Sequence, residues 1–142
     1  MSPVDKDVIT RKLAVIVRNL GVLEEISVLS PTEYGEDLIR RKAAERLLQE
    51  LIEAAIDINT HIIVERGGMV PDSYYDGFIG LASLRVLPPQ LARALAPSAG
   101  LRNRLVHEYD AIDDSIIYGA AKEAPQLYSA YVREIMEYMK RA

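Results

Sequence analysis

The 142-residue sequence contains no cysteine, no tryptophan, one phenylalanine and two histidines. Without cysteine there is no disulfide framework, no thiolate zinc site and no thiol nucleophile, which removes the disulfide-stapled and redox classes. A reducing, cytoplasmic setting is the expectation. Two histidines also leave little material for a histidine-rich metal centre. Positive charge is scarce as well: 17 Lys and Arg stand against 21 Asp and Glu, a formal net charge of -4. That is not the footprint of a protein that coats nucleic acid, so any nucleic-acid contact has to be local. Charges interrupt every apolar stretch before the run of about 18 residues needed to span a bilayer. Asp5 and Lys6 come too early for the apolar centre of a signal peptide, and a soluble protein with no membrane contact is expected. Low-complexity tracts and repeats of about 20 to 50 residues are missing too.

What is present reads as one helical domain over residues 1–142. Glycine and proline fall mainly in clusters and leave windows 4–20, 36–66, 101–118 and 126–142 free of both. Windows of that length favour helices. Ile9, Leu13, Ile16, Leu20 and Leu23 recur at helical spacing, with Ser2, Pro3 and Asp5 as a start signal and an end near Leu29. Ser30-Pro31-Thr32-Glu33 repeats the start signal, and Gly35 divides a short turn from a long helix beginning near Glu36. That helix buries Leu47, Leu48, Leu51, Ile52, Ala55, Ile58, Ile62 and Ile63, and Gly67-Gly68 ends it. A shorter helix from Asp72 or Ser73 buries Phe78, Leu81 and Leu84. Pro88-Pro89 opens the next, which Pro97 kinks or restarts before it runs towards Tyr109. Asp113 and Asp114 precede the last helical region, bent at Pro125, with Leu127, Tyr131, Ile135, Met136 and Met139 as its stripe. The sum is an all-α, antiparallel four- to five-helix bundle.

Chemistry concentrates in Arg102-Asn103-Arg104-Leu105-Val106-His107-Glu108-Tyr109. Leu101 and Leu105 can anchor this stretch to the core while two guanidiniums, an amide, an imidazole and a phenol stay free. On a regular helix Arg102 and His107 differ in direction by about 140°. They share a face only if the helix ends between them, or if a second copy of the chain completes the site in a symmetric dimer. Asn103 lies one turn before His107. Arg104 either joins the site or pairs with Glu108 four residues on. The alternative for the whole stretch is a solvated helix end, with His107 and Tyr109 packed beside Leu105. Glu53, Asp57 and His61 form a polar stripe on the long helix, open to a divalent metal, to a cleft lining or to a plain solvated face. Paired Glu-x-x-His motifs of di-iron bundles are missing. Asp57 and His61 remain as candidates for lining a cleft. Tyrosines other than Tyr109 are expected to be half-buried, with the hydroxyl at the surface.

An arginine, a polar residue, three further positions and a histidine resembles the signature of HEPN domains, small helical ribonucleases and nucleotide-associated proteins. The extension to Tyr109 resembles the HepT toxins, whose partners are nucleotidyltransferase antitoxins of the MntA kind. Ala44-Glu45-Arg46, Leu48-Gln49, the run from Ile52 to Ile58 and Tyr75-Asp76 extend the likeness over nearly the whole chain. The resemblance implies a HEPN-like bundle and metal-independent cleavage of RNA by attack of the ribose 2′-hydroxyl on the adjacent phosphate, with no cofactor. It implies His107 as general acid or base, Arg102 as the phosphate holder and Asn103 as an orienting or substrate-binding amide. It further implies Tyr109 as the acceptor of AMP from the antitoxin, giving an O-AMP-tyrosine that blocks the phosphate subsite. A homodimer is the expected assembly. The competing expectation is a catalytically silent HEPN module that binds a nucleotide or serves as a scaffold for a nucleotidyltransferase. The acidic composition favours that second reading, and the presence of Arg102, Asn103 and His107 favours the first.

Overall fold

A computed structural model describes residues 5–142. Seven helices make up its regular structure: α1 (Lys6–Ser27), α2 (Pro31–Glu36), α3 (Leu38–Glu65), α4 (Tyr74–Ser83), α5 (Pro89–Leu95), α6 (Ser98–His107) and α7 (Asp114–Arg141). The fold is all-α, as expected. Seven helices stand where four to five were expected, because the turn at Asp37 separates α2 from α3 and Pro97 restarts the chain as α6, the second of its two expected effects.

Side-chain caps explain the starts of α1, α2, α3, α4 and α7. Asp5 caps α1, its carboxylate accepting from the amides of Asp7 at 3.0 Å and Val8 at 3.3 Å. The proposed Ser2 and Pro3 signal lies outside the described residues. Ser30 and Glu33 close a full capping box on α2. Asp37 then caps α3 through the Arg40 amide at 3.0 Å, so the long helix begins one residue beyond the turn holding Gly35. Gly67 adopts φ 88° just past α3, a left-handed conformation that glycine takes without strain. Ser73 caps α4, and Asp113 caps α7. Pro125 lies within α7, which continues past it as one helix.

The directions of the long helices follow from their contacts. Along α1 and α3, Asp5 meets His61, Lys12 meets Asp57, and Asn19 meets Glu50, so the two are antiparallel. Along α3 and α7, Arg41 meets Asp114, Asn59 meets Tyr131, and Arg66 meets Tyr138, so these two run in parallel. The short helices α4 to α6 carry the chain back and permit that parallel pairing.

The core is apolar with two buried amides. Ile9, Leu13, Ile16, Leu20 and Leu23 are buried on α1, as are Leu48, Leu51, Ile52, Ala55, Ile58, Ile62 and Ile63 on α3. Leu47 and Leu84 are only partly buried. On α7, Met136 is exposed, whereas Tyr128 and Tyr138 are buried. The expectation of half-buried tyrosines therefore fails for Tyr34 on α2 and for Tyr128, Tyr131 and Tyr138 on α7, whose aromatic face turns inward, while the place of Tyr131 on the α7 stripe holds. Asn19 donates to the Leu47 carbonyl at 3.1 Å and to Glu50 at 3.0 Å. The Tyr131 hydroxyl donates to Asn59 Oδ1 at 2.6 Å and stands 3.1 Å from the Ala55 carbonyl. Against α3, Gly80 leaves space that a Cβ would need, since it would stand 3.0 Å from Ile63 Cδ1.

Tyr131→Phe should lower the unfolding free energy by about 1–3 kcal/mol, measured by urea denaturation, because it strands the buried Asn59 carbonyl oxygen. Acid should loosen the helix starts. The Ser30 amide and hydroxyl hold Glu33 below the ordinary carboxylate value, as the Arg40 amide does for Asp37 and the Ser115 hydroxyl and amide do for Asp113. Groups depressed in the folded state stabilise it above the ordinary carboxylate range, and that contribution is lost as pH falls through their folded values. The melting temperature should therefore decline below about pH 4. Asp37→Asn and Asp113→Asn, which keep the caps without titrating, should flatten that decline in circular-dichroism melts.

Candidate functional site

Helix α6 follows Pro97 and holds itself to the core through Ala99 and Leu105, both buried, and Leu101, partly buried. This leaves the rest of its circumference for polar groups. Arg102 points towards α3 and α4 rather than into solvent, its side chain 18% exposed. The guanidinium carbon lies 5.1 Å from the centre of the Tyr74 ring. One terminal nitrogen donates to Asn103 Oδ1 at 3.2 Å, and the other stands 3.9 Å from the Glu53 carboxylate. The Nε is buried with no partner. Arg102 is thus held by a ring face, an amide and a loose ion pair, and several of its donors remain available for an anion.

The rest of the motif lies on other sides of the helix end. His107 is the last residue of α6, and the Glu108 amide closes the helix on the Arg104 carbonyl at 2.9 Å. Among the described residues, His107 makes no side-chain hydrogen bond or ion pair, and it is exposed. Tyr109 follows beyond the helix, 71% exposed. The structure brings Arg102 and Asn103 into contact. Asn103 gives its carbonyl oxygen to Arg102 and makes no hydrogen bond to His107.

The cleft candidates separate. Arg104 forms no ion pair with Glu108 among the described residues and instead lines a groove of about 310 Å³ between α6 and α7, beside Ser98, Leu101 and Glu123. Asp57 pairs with Lys12 at 2.8 Å, and His61 Nε2 accepts from the Asp5 amide at 3.1 Å. Both therefore serve the α1–α3 contact and touch neither Arg102 nor the groove. Among the described residues no three His, Asp or Glu side chains gather as a metal cluster. Helices long and apolar enough to cross a membrane are also missing among them.

The family model described as Ribonuclease HepT-like matches residues 6–135. The chain belongs to the HepT-like ribonuclease family. The tRNA nuclease HepT of Aphanizomenon flos-aquae is 39% identical over 139 residues, covering 98% of this chain and 95% of the relative. The mRNA nuclease HepT of Shewanella oneidensis is 29% identical over 111 residues, covering 78% of this chain and 83% of the relative. In solved structures, the tri-AMPylated Shewanella oneidensis HEPN toxin in complex with MNT antitoxin superposes with a TM-score of 0.82 at 25% identity, over 92% of this chain and 98% of that one. The cytosolic protein YutE of Bacillus subtilis gives a TM-score of 0.85 at 22% identity, over 99% of this chain and 94% of that one, which supports the fold.

In this HepT-like chain two partners of Arg102 escape a reading of the motif alone. Glu53 stands on the same stripe as Asp57 and His61, and only the packing of α6 on α3 shows which of the three faces the arginine. Tyr74 lies 28 residues before Arg102 in a different helix. An exposed tyrosine at a helix start was its only available signal. Glu53→Gln should shift the unfolding free energy by less than about 1 kcal/mol in urea denaturation, since a partly exposed pair at 3.9 Å contributes little to stability. A larger loss would make the pair structural.

Proposed function

We propose that this chain is the toxin of a toxin–antitoxin module and acts as a metal-independent endoribonuclease. The observation that carries the reading is the exposed end of α6. His107 and Tyr109 stand there, five and seven residues after Arg102 and close behind Asn103, in a chain related over nearly its full length to a tRNA nuclease HepT. In the proposed reaction the ribose 2′-oxygen attacks phosphorus, and His107 takes the 2′-hydroxyl proton or returns one to the leaving 5′-oxygen. The bond from phosphorus to that 5′-oxygen breaks, which leaves a 2′,3′-cyclic phosphate and a 5′-hydroxyl. Arg102 holds the phosphate and offsets the charge growing on its oxygens. Asn103 fixes the arginine through its carbonyl oxygen and keeps its NH2 group for substrate.

A homodimer completes this proposal. Arg102 and His107 are offset by about 140° around α6, so two copies facing each other across a twofold axis supply one copy's guanidinium and the other's imidazole to the same phosphate. Tyr109 is the proposed acceptor of AMP from an MntA-like nucleotidyltransferase antitoxin. Its exposure suits transfer by a second protein, and the added phosphodiester would compete with RNA for Arg102. Support for that partner comes from the AMPylated Shewanella toxin, which is in complex with MNT antitoxin.

Purified, unmodified protein incubated with RNA in EDTA should cleave it, and Arg102→Ala and His107→Ala should each lower the rate by at least about 100-fold. Cleavage equal in all three, or none by the parent, would favour the silent module instead. Co-expression with an MntA-like nucleotidyltransferase should add the mass of AMP to the parent and not to Tyr109→Phe. Size-exclusion chromatography should return the mass of a dimer.

A further inference from the structure

The aromatic rings of this chain divide sharply by position. Tyr34, Phe78, Tyr128, Tyr131 and Tyr138 are buried, and Tyr118 is partly buried. Three rings are exposed: Tyr74 at 43%, Tyr75 at 47% and Tyr109 at 71%. One of the three belongs to the motif, and the other two open α4, where Tyr74 lies against Arg102 and Tyr75 is the next residue. Neighbouring residues on a helix diverge by about 100°, so Tyr75 does not share the face on which Tyr74 carries the guanidinium. Among the described residues Tyr75 has no aromatic or cationic partner at all.

The pair is also rigidly mounted. Ser73 caps α4 through the Asp76 amide at 3.1 Å, and Phe78 and Leu81 bury the next turn. Gly80 brings the helix close against Ile63 of α3. The backbone that carries the rings is thereby fixed, so a flat partner binds without having to order the helix start.

Charge points to what that partner is. The chain as a whole carries a net charge of -4, and Glu53, 3.9 Å from Arg102, offsets part of that guanidinium's charge. A single-stranded nucleic acid held here gains affinity from its bases as well as from the phosphate on Arg102, and base stacking on tyrosine is the interaction that supplies it without sequence readout. We propose that the start of α4 forms a base-stacking subsite for single-stranded RNA, with Tyr75 as its stacking ring. Tyr75 receives the nucleobase next to the phosphate held by Arg102, and Tyr74 is the positioning residue for that arginine. This rests on the ribonuclease reading given above.

The test uses the unmodified full chain and two probes: a mixed-sequence 2′-O-methyl RNA hexamer, which lacks the attacking hydroxyl, and an all-abasic ribose-phosphate hexamer. Binding is followed by fluorescence anisotropy and cleavage by the kinetics of an unmodified RNA. Tyr75→Ala should weaken binding of the base-bearing hexamer by about 5- to 150-fold. It should leave the abasic hexamer unaffected, and Tyr75→Phe should restore the parent value. In cleavage the loss should fall on KM, with kcat within about twofold of the parent. Tyr74→Ala should lower kcat as well, and Tyr74→Phe should recover it.

Equal weakening for both hexamers would overturn the stacking assignment, as would parent-like binding by Tyr75→Ala. Unchanged RNA binding with loss of the dimer, or of nucleotidyltransferase binding, would make the two rings a protein-docking face and overturn it too. The two readings fail separately. A parent that cleaves, an inactive Arg102→Ala and a parent-like Tyr75→Ala defeat only the subsite, whereas a parent that neither binds nor cleaves RNA defeats both.

Discussion

The architecture depends on α3, and in particular on the breadth of its apolar face. Helices α1, α2, α4, α6 and α7 all pack on it. A narrow heptad seam would bury one neighbour. Here Leu48, Leu51, Ile52, Ala54, Ala55, Ile56, Ile58, Asn59, Ile62 and Ile63 are buried around most of the circumference, so several helices can gather on one axis. Small side chains set how closely they approach. Ala55 lies under Tyr131, and Gly80 of α4 meets Ile63. What remains polar on α3 is therefore confined to a strip, and each member of that strip is assigned by whichever helix passes over it.

That assignment separates three residues which the sequence presents as equivalent. Glu53, Asp57 and His61 are spaced one turn apart, yet Asp57 meets Lys12, His61 meets the amide of Asp5, and Glu53 meets Arg102. The antiparallel course of α1 runs beside the later part of the strip, and α6 crosses the earlier part. A repeating spacing fixes which face a residue occupies, but not which neighbour covers that face. The same limit explains Tyr74, whose relation to Arg102 exists only because α4 and α6 both pack on α3.

Much else was legible in local chemistry. The stripe of α1, the capping box at Ser30, the glycine stop after α3 and the proline start of α5 all act over a few residues, and each appears where the sequence suggests. The HepT-like family was likewise legible in the stretch from Arg102 to Tyr109. The parallel course of α3 and α7 was not, because it depends on three short helices returning the chain. Nor were buried Tyr128 and Tyr138, and although Tyr131 falls on the expected stripe, the hydrogen bond that admits its hydroxyl to the core goes to Asn59, a partner 72 positions earlier. A polar aromatic is placed by its long-range partner, and periodicity does not contain that partner.

The same packing constrains how the end of α6 can act. Leu101 and Leu105 must face inward, which fixes the helix rotation and sends Arg102 to the α3–α4 side. His107 is then carried about 140° away, at the point where helical hydrogen bonding ends. Rotating α6 to bring both groups to one side would withdraw Leu105 from the core, at a cost on the order of 2 kcal/mol for exposing a leucine. Local fraying at Glu108 can re-aim the imidazole at far lower cost, since the residue after His107 has already left the helix. The arginine is thus the fixed element of the motif and the histidine the adjustable one. An arrangement that needs both at one phosphate is met by moving the helix end or by adding a second copy, and not by repacking the core.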